Sequence, residues 1–390
     1  MQIAVPSRQA RANEHEEARL FVPANPGWRP RLLGRSLEAS DVFPFSAERT
    51  YWYLLGRGAL RNGLASLGIT GEVLVPAYNH GVEVSTLVAA GLKPVFYPVD
   101  RDMQYDPEVV QSMVTSETRA VYVTHFWGFP QSLAPLASFC RSEGLALIED
   151  CALSLFASSD GAPVGSVGDM SIFSLHKTLG VSHSGLLALN RAPIVEPATP
   201  ERPTLRWATR GAVRRLSSRL DIAFPSLGRA RRRRPGASVG EARAQEERGH
   251  GWEEFEPEAM TMGPNALVQY IAAHEDARRT VERRRHNYQR LASQLPADRL
   301  WLPELPDGAC PLFAPVYVNA KVAAVEFLGR RGIEAVPVWL DAPSQVPAGA
   351  FPDADYLRAH LLEVPCHQDL DDREMDYVAG ALALAFEQGL

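Results

Sequence analysis

Between Leu54 and Asn190 the apolar positions switch repeatedly between two spacings. In GRGALRNGLASLG, Leu60, Leu64 and Leu67 recur every three or four residues, which predicts an amphipathic helix ending at Gly68. The compact apolar runs EVLVPAY, KPVFYPVD, AVYVTHF and LALIED predict short buried strands. VEVSTLVAAG, DPEVVQSMV and LAPLASFCRSEG predict the helices between them. After a glycine-rich loop, GAPVGSVGD, come two further expected strands, MSIFSLH and GLLALN. Strands and helices that alternate at this length predict an α/β fold, with a mostly parallel central sheet sandwiched by helices.

The flanks have other textures. Residues 1–48 are polar and punctuated by Pro23, Pro26, Pro30 and Pro44, as expected of an arm or cap. Residues 49–263 then form a large domain and 264–390 a smaller C-terminal α+β domain. In the latter, one long helix is expected from Ala266 to Leu295, CPLFAPVYV and EAVPVW as strands, and VAAVEFLGRRG and REMDYVAGALALAFE as helices. No internal repeat is visible. Residues 202–248 hold thirteen arginines against Asp221, Glu241, Glu246 and Glu247. This excursion reads as a solvated segment, as an electropositive flap for an anionic substrate, or more weakly as a nucleic-acid contact.

Composition narrows the class. With 46% hydrophobic and 22% charged residues, the 390-residue chain is globular. A formal charge of −6 argues against a nucleic-acid coat. Cys140, Cys151, Cys310 and Cys366 show neither metal-ribbon nor disulfide-framework spacing. No apolar leader is visible at the N-terminus, and the run Tyr377–Phe386 is far shorter than the ~20 residues a bilayer requires. These features predict a cytoplasmic protein with neither membrane nor nucleic acid as partner.

In open α/β sheets, ligands bind beyond the carboxyl ends of the strands. Three expected strand ends carry reactive groups: Asp150 after LALIE, Ser174 to Lys177 after MSIF, and Tyr78 to His80 after EVLVPA. The helix opening at Gly56-Arg57-Gly58 adds free N–H groups that favour an anion. Lysine occurs only as Lys93, Lys177 and Lys321, so the search for a reactive amine is short. An amine, a strand-end carboxylate and an anion-binding turn are what pyridoxal 5′-phosphate requires. Taken singly, each residue has a plainer reading: Asp150 as a helix cap, Ser174 as a core hydroxyl, His80 as a packed histidine, Lys177 as a surface lysine. His125 and Trp127 read as packing residues near the site.

The segments GRGAL, VLVPAYNHGVEVSTLVAAGLKPVFYPVD, VYVTHFWGFPQ, LALIEDCA and GSVGDMSIFSLHKTLG, in this order, resemble the DegT/DnrJ/StrS family of sugar aminotransferases. The resemblance runs from Gly56 to Asn190 and continues loosely through ERRRHNY. It implies the aspartate-aminotransferase fold (fold type I) and pyridoxal 5′-phosphate as cofactor, with no metal. Position by position, it implies that Lys177 links to the cofactor and moves the proton, and that Asp150 faces the pyridine nitrogen. Ser174, Arg57 and Gly58 would then hold the phosphate, and His80 would stack on the ring.

Some positions depart from the family. Lys177 follows Ser174 by three residues, where many members have five. Leu153 stands where Gln or His is usual, and Ser184-Gly185-Leu186 replaces an acidic-Gly-Gly run. The Asn-Tyr-Arg segment through which a second subunit reaches the phosphate is not recognisable at Glu258–Met262.

The resemblance implies a homodimeric aminotransferase that moves an amino group from glutamate or glutamine to a nucleotide-linked keto-sugar. Three alternatives stand beside it. The first is a cofactor enzyme that acts on a cyclitol or amino acid by elimination or condensation. The second is a hydrolase, since Gly180-Val181-Ser182-His183-Ser184 approaches a nucleophile elbow without its last glycine. The third is a non-catalytic regulatory protein that uses the arginine-rich segment as its contact surface.

Overall fold

The computed structural model describes residues 20–27, 41–207 and 257–390. Most of the arginine-rich stretch, including Arg210, Arg214 and the run Arg231 to Arg234, lies outside the described residues.

The alternating pattern folds as its periodicity requires. Its strands are β1 (Thr50–Tyr53), β2 (Glu72–Pro76), β3 (Lys93–Tyr97), β4 (Thr118–Thr124), β5 (Ala146–Asp150), β8 (Met170–Ser174) and β9 (Gly185–Leu189). They form one seven-stranded sheet in the order β1-β9-β8-β5-β4-β2-β3. The pairs β8·β5, β5·β4, β4·β2 and β2·β3 are parallel, while β9 pairs antiparallel with both β8 and the edge strand β1. The connecting helices are α1 (Gly56–Ser66), α2 (Val82–Ala89), α3 (Pro107–Ser112), α4 (Ala134–Glu143) and the short α5 (Leu175–Thr178). A small hairpin, β6 (Ser158–Ser159) and β7 (Ala162–Pro163), lies inside the glycine-rich region. Every residue of β2, β5, β8 and β9 is buried, as expected of strands covered on both faces. Sheet and helices thus form the fold-type-I architecture, with the parallel strand ends at one rim.

The C-terminal part is a two-stranded antiparallel sheet, β10 (Phe313–Tyr317) with β11 (Leu361–Pro365), flanked by α6 (Ala266–Ala273), α7 (Ala277–Ala292), α8 (Lys321–Arg330), α9 (Pro352–His360) and α10 (Asp372–Glu387). Two expectations fail here. The single long helix after Pro264 is two helices, because Asp276 caps a new start by accepting the Arg279 N–H at 3.0 Å. EAVPVW is not a strand and keeps only an isolated bridge from Val336 to Glu363. Pro337 removes a ladder donor, and Trp339 turns the chain with a φ of 45°. The described part of the N-terminal arm is tied to this domain: Val22 N–H donates to the Gly332 carbonyl, and Glu334 N–H to that of Val22. Among the described residues, no helix is long and apolar enough to cross a membrane.

Candidate active site

Three strand ends and one helix start converge. β5 and β8 are neighbours, with Asp150 opposite Ile172, so Asp150 lies beside the stretch that leads through Ser174 to Lys177. Lys177 sits in the single turn of α5, immediately after β8. Its positive charge favours the ionised forms of Asp150, Glu83 and Glu363. The turn is fixed from outside. The Thr178 carbonyl accepts hydrogen bonds from Arg284 Nη2 and Gln368 Nε2, both at 3.0 Å. Arg284 is fully buried on α7 and also donates to the carbonyls of Pro311 and Leu312. Its many donors satisfy three carbonyls that burial would otherwise leave unpaired.

Asp150 is 2% exposed. The Tyr122 hydroxyl donates to its Oδ2 at 2.7 Å and the Ala152 N–H to its Oδ1 at 2.9 Å. Burial nevertheless holds its carboxyl above the ordinary value, against the opposing pull of those two donors and of Lys177. Glu83, in the first turn of α2, is pushed up to about 7 by burial and by the charge of Asp150. Glu363, on β11, is likewise pushed up to about 7 by burial, although Trp127 Nε1 donates to it and Lys177 and Lys321 oppose the shift.

Ser174 closes β8 against the start of α1. A Cβ on Gly56 would lie 3.7 Å from the Ser174 Cβ and 3.8 Å from its Oγ. A Cβ on Gly185 would lie 2.4 Å from the Leu55 carbonyl carbon, so β9 can begin only with a glycine there. The opening turn of α1 has neither a capping side chain nor an acidic residue. Its leading N–H groups and dipole therefore favour an anion beside Ser174. Gly58 admits the segment 257–262: a Cβ there would lie 3.1 Å from the Met260 carbonyl oxygen, which also accepts from Asn62 Nδ2. Ser174 Oγ lies 3.3 Å from His176 Nδ1.

His80 precedes α2 in a loop set by Asn79, whose side chain bonds the Pro76 carbonyl and the Gly81 N–H. Arg358 clamps the same loop by donating to the carbonyls of Ala77 and Asn79. The His80 ring stands edge-on to Trp339, with centroids 6.2 Å apart, beside the buried rings of Tyr78, Phe126 and Trp127.

His125 packs in a separate network with Glu149, and Leu153 is buried. Ser182 lies in the loop between α5 and β9, not in a strand-to-helix turn, so the nucleophile-elbow alternative has no structural basis. Glu83, Tyr122, Glu363 and Arg284 escaped the sequence reading. Glu83 in a first helical turn resembles ordinary dipole compensation, and Arg284 is one of three consecutive arginines.

Residues 56–199 match the DegT/DnrJ/EryC1/StrS aminotransferase family. GDP-perosamine synthase of Vibrio cholerae is 34% identical over 146 residues, covering 36% of this chain and 40% of that protein. L-glutamine:2-deoxy-scyllo-inosose aminotransferase of Streptoalloteichus tenebrarius is 34% identical over 131 residues, covering 33% of this chain and 31% of that protein. The similarity thus spans well under half the length of either relative. The fold likeness is wider. The crystal structure of Escherichia coli GDP-4-keto-6-deoxy-D-mannose-3-dehydratase with bound hydrated PLP covers 98% of both chains at a TM-score of 0.62 and 16% identity. The residues that match the family, 56–199, contain Arg57, Gly58, His80, Asp150, Ser174 and Lys177.

Proposed function

We propose that this chain is a pyridoxal 5′-phosphate-dependent aminotransferase that moves an amino group from glutamate or glutamine to a nucleotide-linked keto-sugar, working as a homodimer. One observation carries the reading: Lys177 follows directly on the strand that pairs with the one ending at the buried Asp150, while Ser174 lies against the uncapped start of α1. These residues fit the cofactor. The buried carboxyl suits a pyridine nitrogen, and the helix start with the Ser174 hydroxyl suits a phosphate. The names of the two relatives support a sugar or cyclitol acceptor, and that of the second supports glutamine as donor.

When bound, the cofactor supplies a protonated ring that draws electrons from the substrate carbon. The chain supplies the rest. Asp150, steadied by Tyr122 and Ala152, holds a proton on the pyridine nitrogen. Lys177 Nζ takes the proton from the donor's α-carbon and returns it one position away. Arg284 and Gln368 fix the turn that carries this amine. Ser174, Arg57 and Gly58 would hold the phosphate, and His80 would lie against the ring. Tyr78, Trp127 and Trp339 keep the floor of the site dry.

The purified protein mixed with the cofactor is expected to gain a visible absorbance band that borohydride fixes covalently, and Lys177→Ala to lose both. Added glutamine should change the band, and a nucleotide-linked keto-sugar should restore it. No band, or a Lys177→Ala protein that still fixes cofactor, overturns the reading. Elimination is the second reading. Glu363, buried and pushed up to about 7, is an acid suited to a departing hydroxyl. Product that has lost water without gaining nitrogen would favour it.

A further inference from the structure

Two carboxyls share the buried floor of the site, and they are held differently. Asp150 receives the Tyr122 hydroxyl and the Ala152 N–H. Glu83 is approached by the N–H groups of His80 and of its own residue, as a first-turn acid should be. Capping leaves its other oxygen unexplained. Oε2 is sealed from solvent and has no hydrogen-bond partner, although the residue as a whole is only partly buried.

The groups that face Glu83 are known. Asp150 repels its charge from β5, and Lys177 attracts it from α5. The negative charge of Glu83 also raises the pKa of the Tyr122 hydroxyl on β4. Two neighbouring carboxylates in a dry site do not both ionise readily, so the pair titrates as a unit. Hydrogen bonds favour the charged form of the group that receives them; both oxygens of Asp150 receive one whereas Glu83 Oε2 receives none, which puts the charge on Asp150. The proton then belongs on the oxygen that accepts nothing, Glu83 Oε2.

We propose that Glu83 is a positioning residue for Asp150: it carries the proton of the carboxyl pair, keeps Asp150 ionised for the pyridine nitrogen, and releases that proton to solvent when a cationic ring enters the site. The inference rests on the function proposed above, and its two tests separate the parts.

The first test needs no cofactor. Carbon-13 NMR of the glutamate side-chain carboxyls should show, beside the near-neutral titration of Glu363, a second one that disappears in Glu83→Gln. In Asp150→Asn the same titration should move down by about one pH unit or more, while Glu363→Gln leaves it in place. A second titration that survives Glu83→Gln, or that Asp150→Asn does not move, overturns the pairing. If Glu83→Gln fails to fold, Glu83→Asp should shift the second titration, and an unmoved titration overturns the pairing equally. The second test is pyridoxal 5′-phosphate affinity at pH 6 and pH 8. A proton lost on binding makes affinity rise with pH, so the ratio of affinity at pH 8 to that at pH 6 should be at least about threefold larger in the wild type than in Glu83→Gln. Equal ratios overturn the proton release. A wild type that binds no cofactor sinks the functional reading, and the NMR result still decides the pair.

Discussion

Glu149 and Asp150 are neighbours on β5, both buried, yet they belong to different kinds of site. Consecutive strand residues leave on opposite faces. Glu149 enters a closed cradle: its Oε1 accepts the N–H groups of Val167 and Gly168, and its Oε2 accepts that of Gly165. The same Oε2 meets His125 Nε2 at 3.0 Å. The Gln131 N–H occupies His125 Nδ1, so the ring proton sits on Nε2 and points at the carboxylate. Burial pushes Glu149 up, but His125 and the backbone donors outweigh it and hold the carboxyl below its usual range. Asp150, with fewer donors, stays above its own. A buried acid whose oxygens are all engaged holds a loop, whereas one with capacity to spare is available to a ligand.

Removing Glu149 should break this contrast most severely. Glu149→Ala leaves three backbone N–H groups and the His125 ring without their acceptor, for a loss of about 3–5 kcal/mol in denaturant unfolding. Asp150→Asn should change stability by less than about 1 kcal/mol, because it relieves a carboxylate that burial already disfavours. Equal losses in the two variants would refute the distinction.

Glu363 sharpens the comparison through pH. Its folded value of about 7 lies above the ordinary 4.5. A raised acid contributes stability that is complete below about pH 4.5 and is lost as pH rises through about 7. Glu149, a lowered acid, has the opposite sign: its contribution is present above about pH 4.5 and lost as pH falls through its depressed value. Glu363→Gln should therefore gain stability relative to the wild type between pH 5 and pH 8, on the order of 2–3 kcal/mol. Unfolding curves at the two pH values check this, and a constant difference between the proteins would contradict it.

The same contrast explains what the sequence could reveal. Strand ends announce their chemistry, so Asp150, Ser174 and Lys177 were legible from order alone. The alternation from Gly56 to Asn190 was legible because β2, β4, β5, β8 and β9 are buried over all or nearly all of their length. The C-terminal region resisted because its punctuation is weak. α9 ends at His360 and β11 starts at Leu361, with no turn residue between them. The break between α6 and α7 rests on a single Asp276 within a polar run. Glu363 in LLEVP carries no mark of its role, since its hydrogen-bond donor, Trp127, is far away in the chain. Glu149 was equally silent: its cradle is the glycine-rich loop, where a Cβ on Gly168 would lie 2.7 Å from the Leu147 carbonyl oxygen.

The smallest effect concerns Ser184, which stands where the family usually carries an acid. It is fully buried, and its Oγ has no hydrogen-bond partner. Its backbone does the useful work, because its carbonyl accepts the Leu175 N–H at 2.8 Å and so anchors the start of the lysine-bearing turn. A side chain that costs desolvation and returns no bond is dispensable. Ser184→Ala should match or exceed the wild type in stability by up to about 1 kcal/mol, and Lys177 should keep its position. A clear loss of stability, or of borohydride-fixed cofactor, would mean that the hydroxyl serves a ligand. Ser184 would then belong with Asp150 and Glu83, not with Glu149.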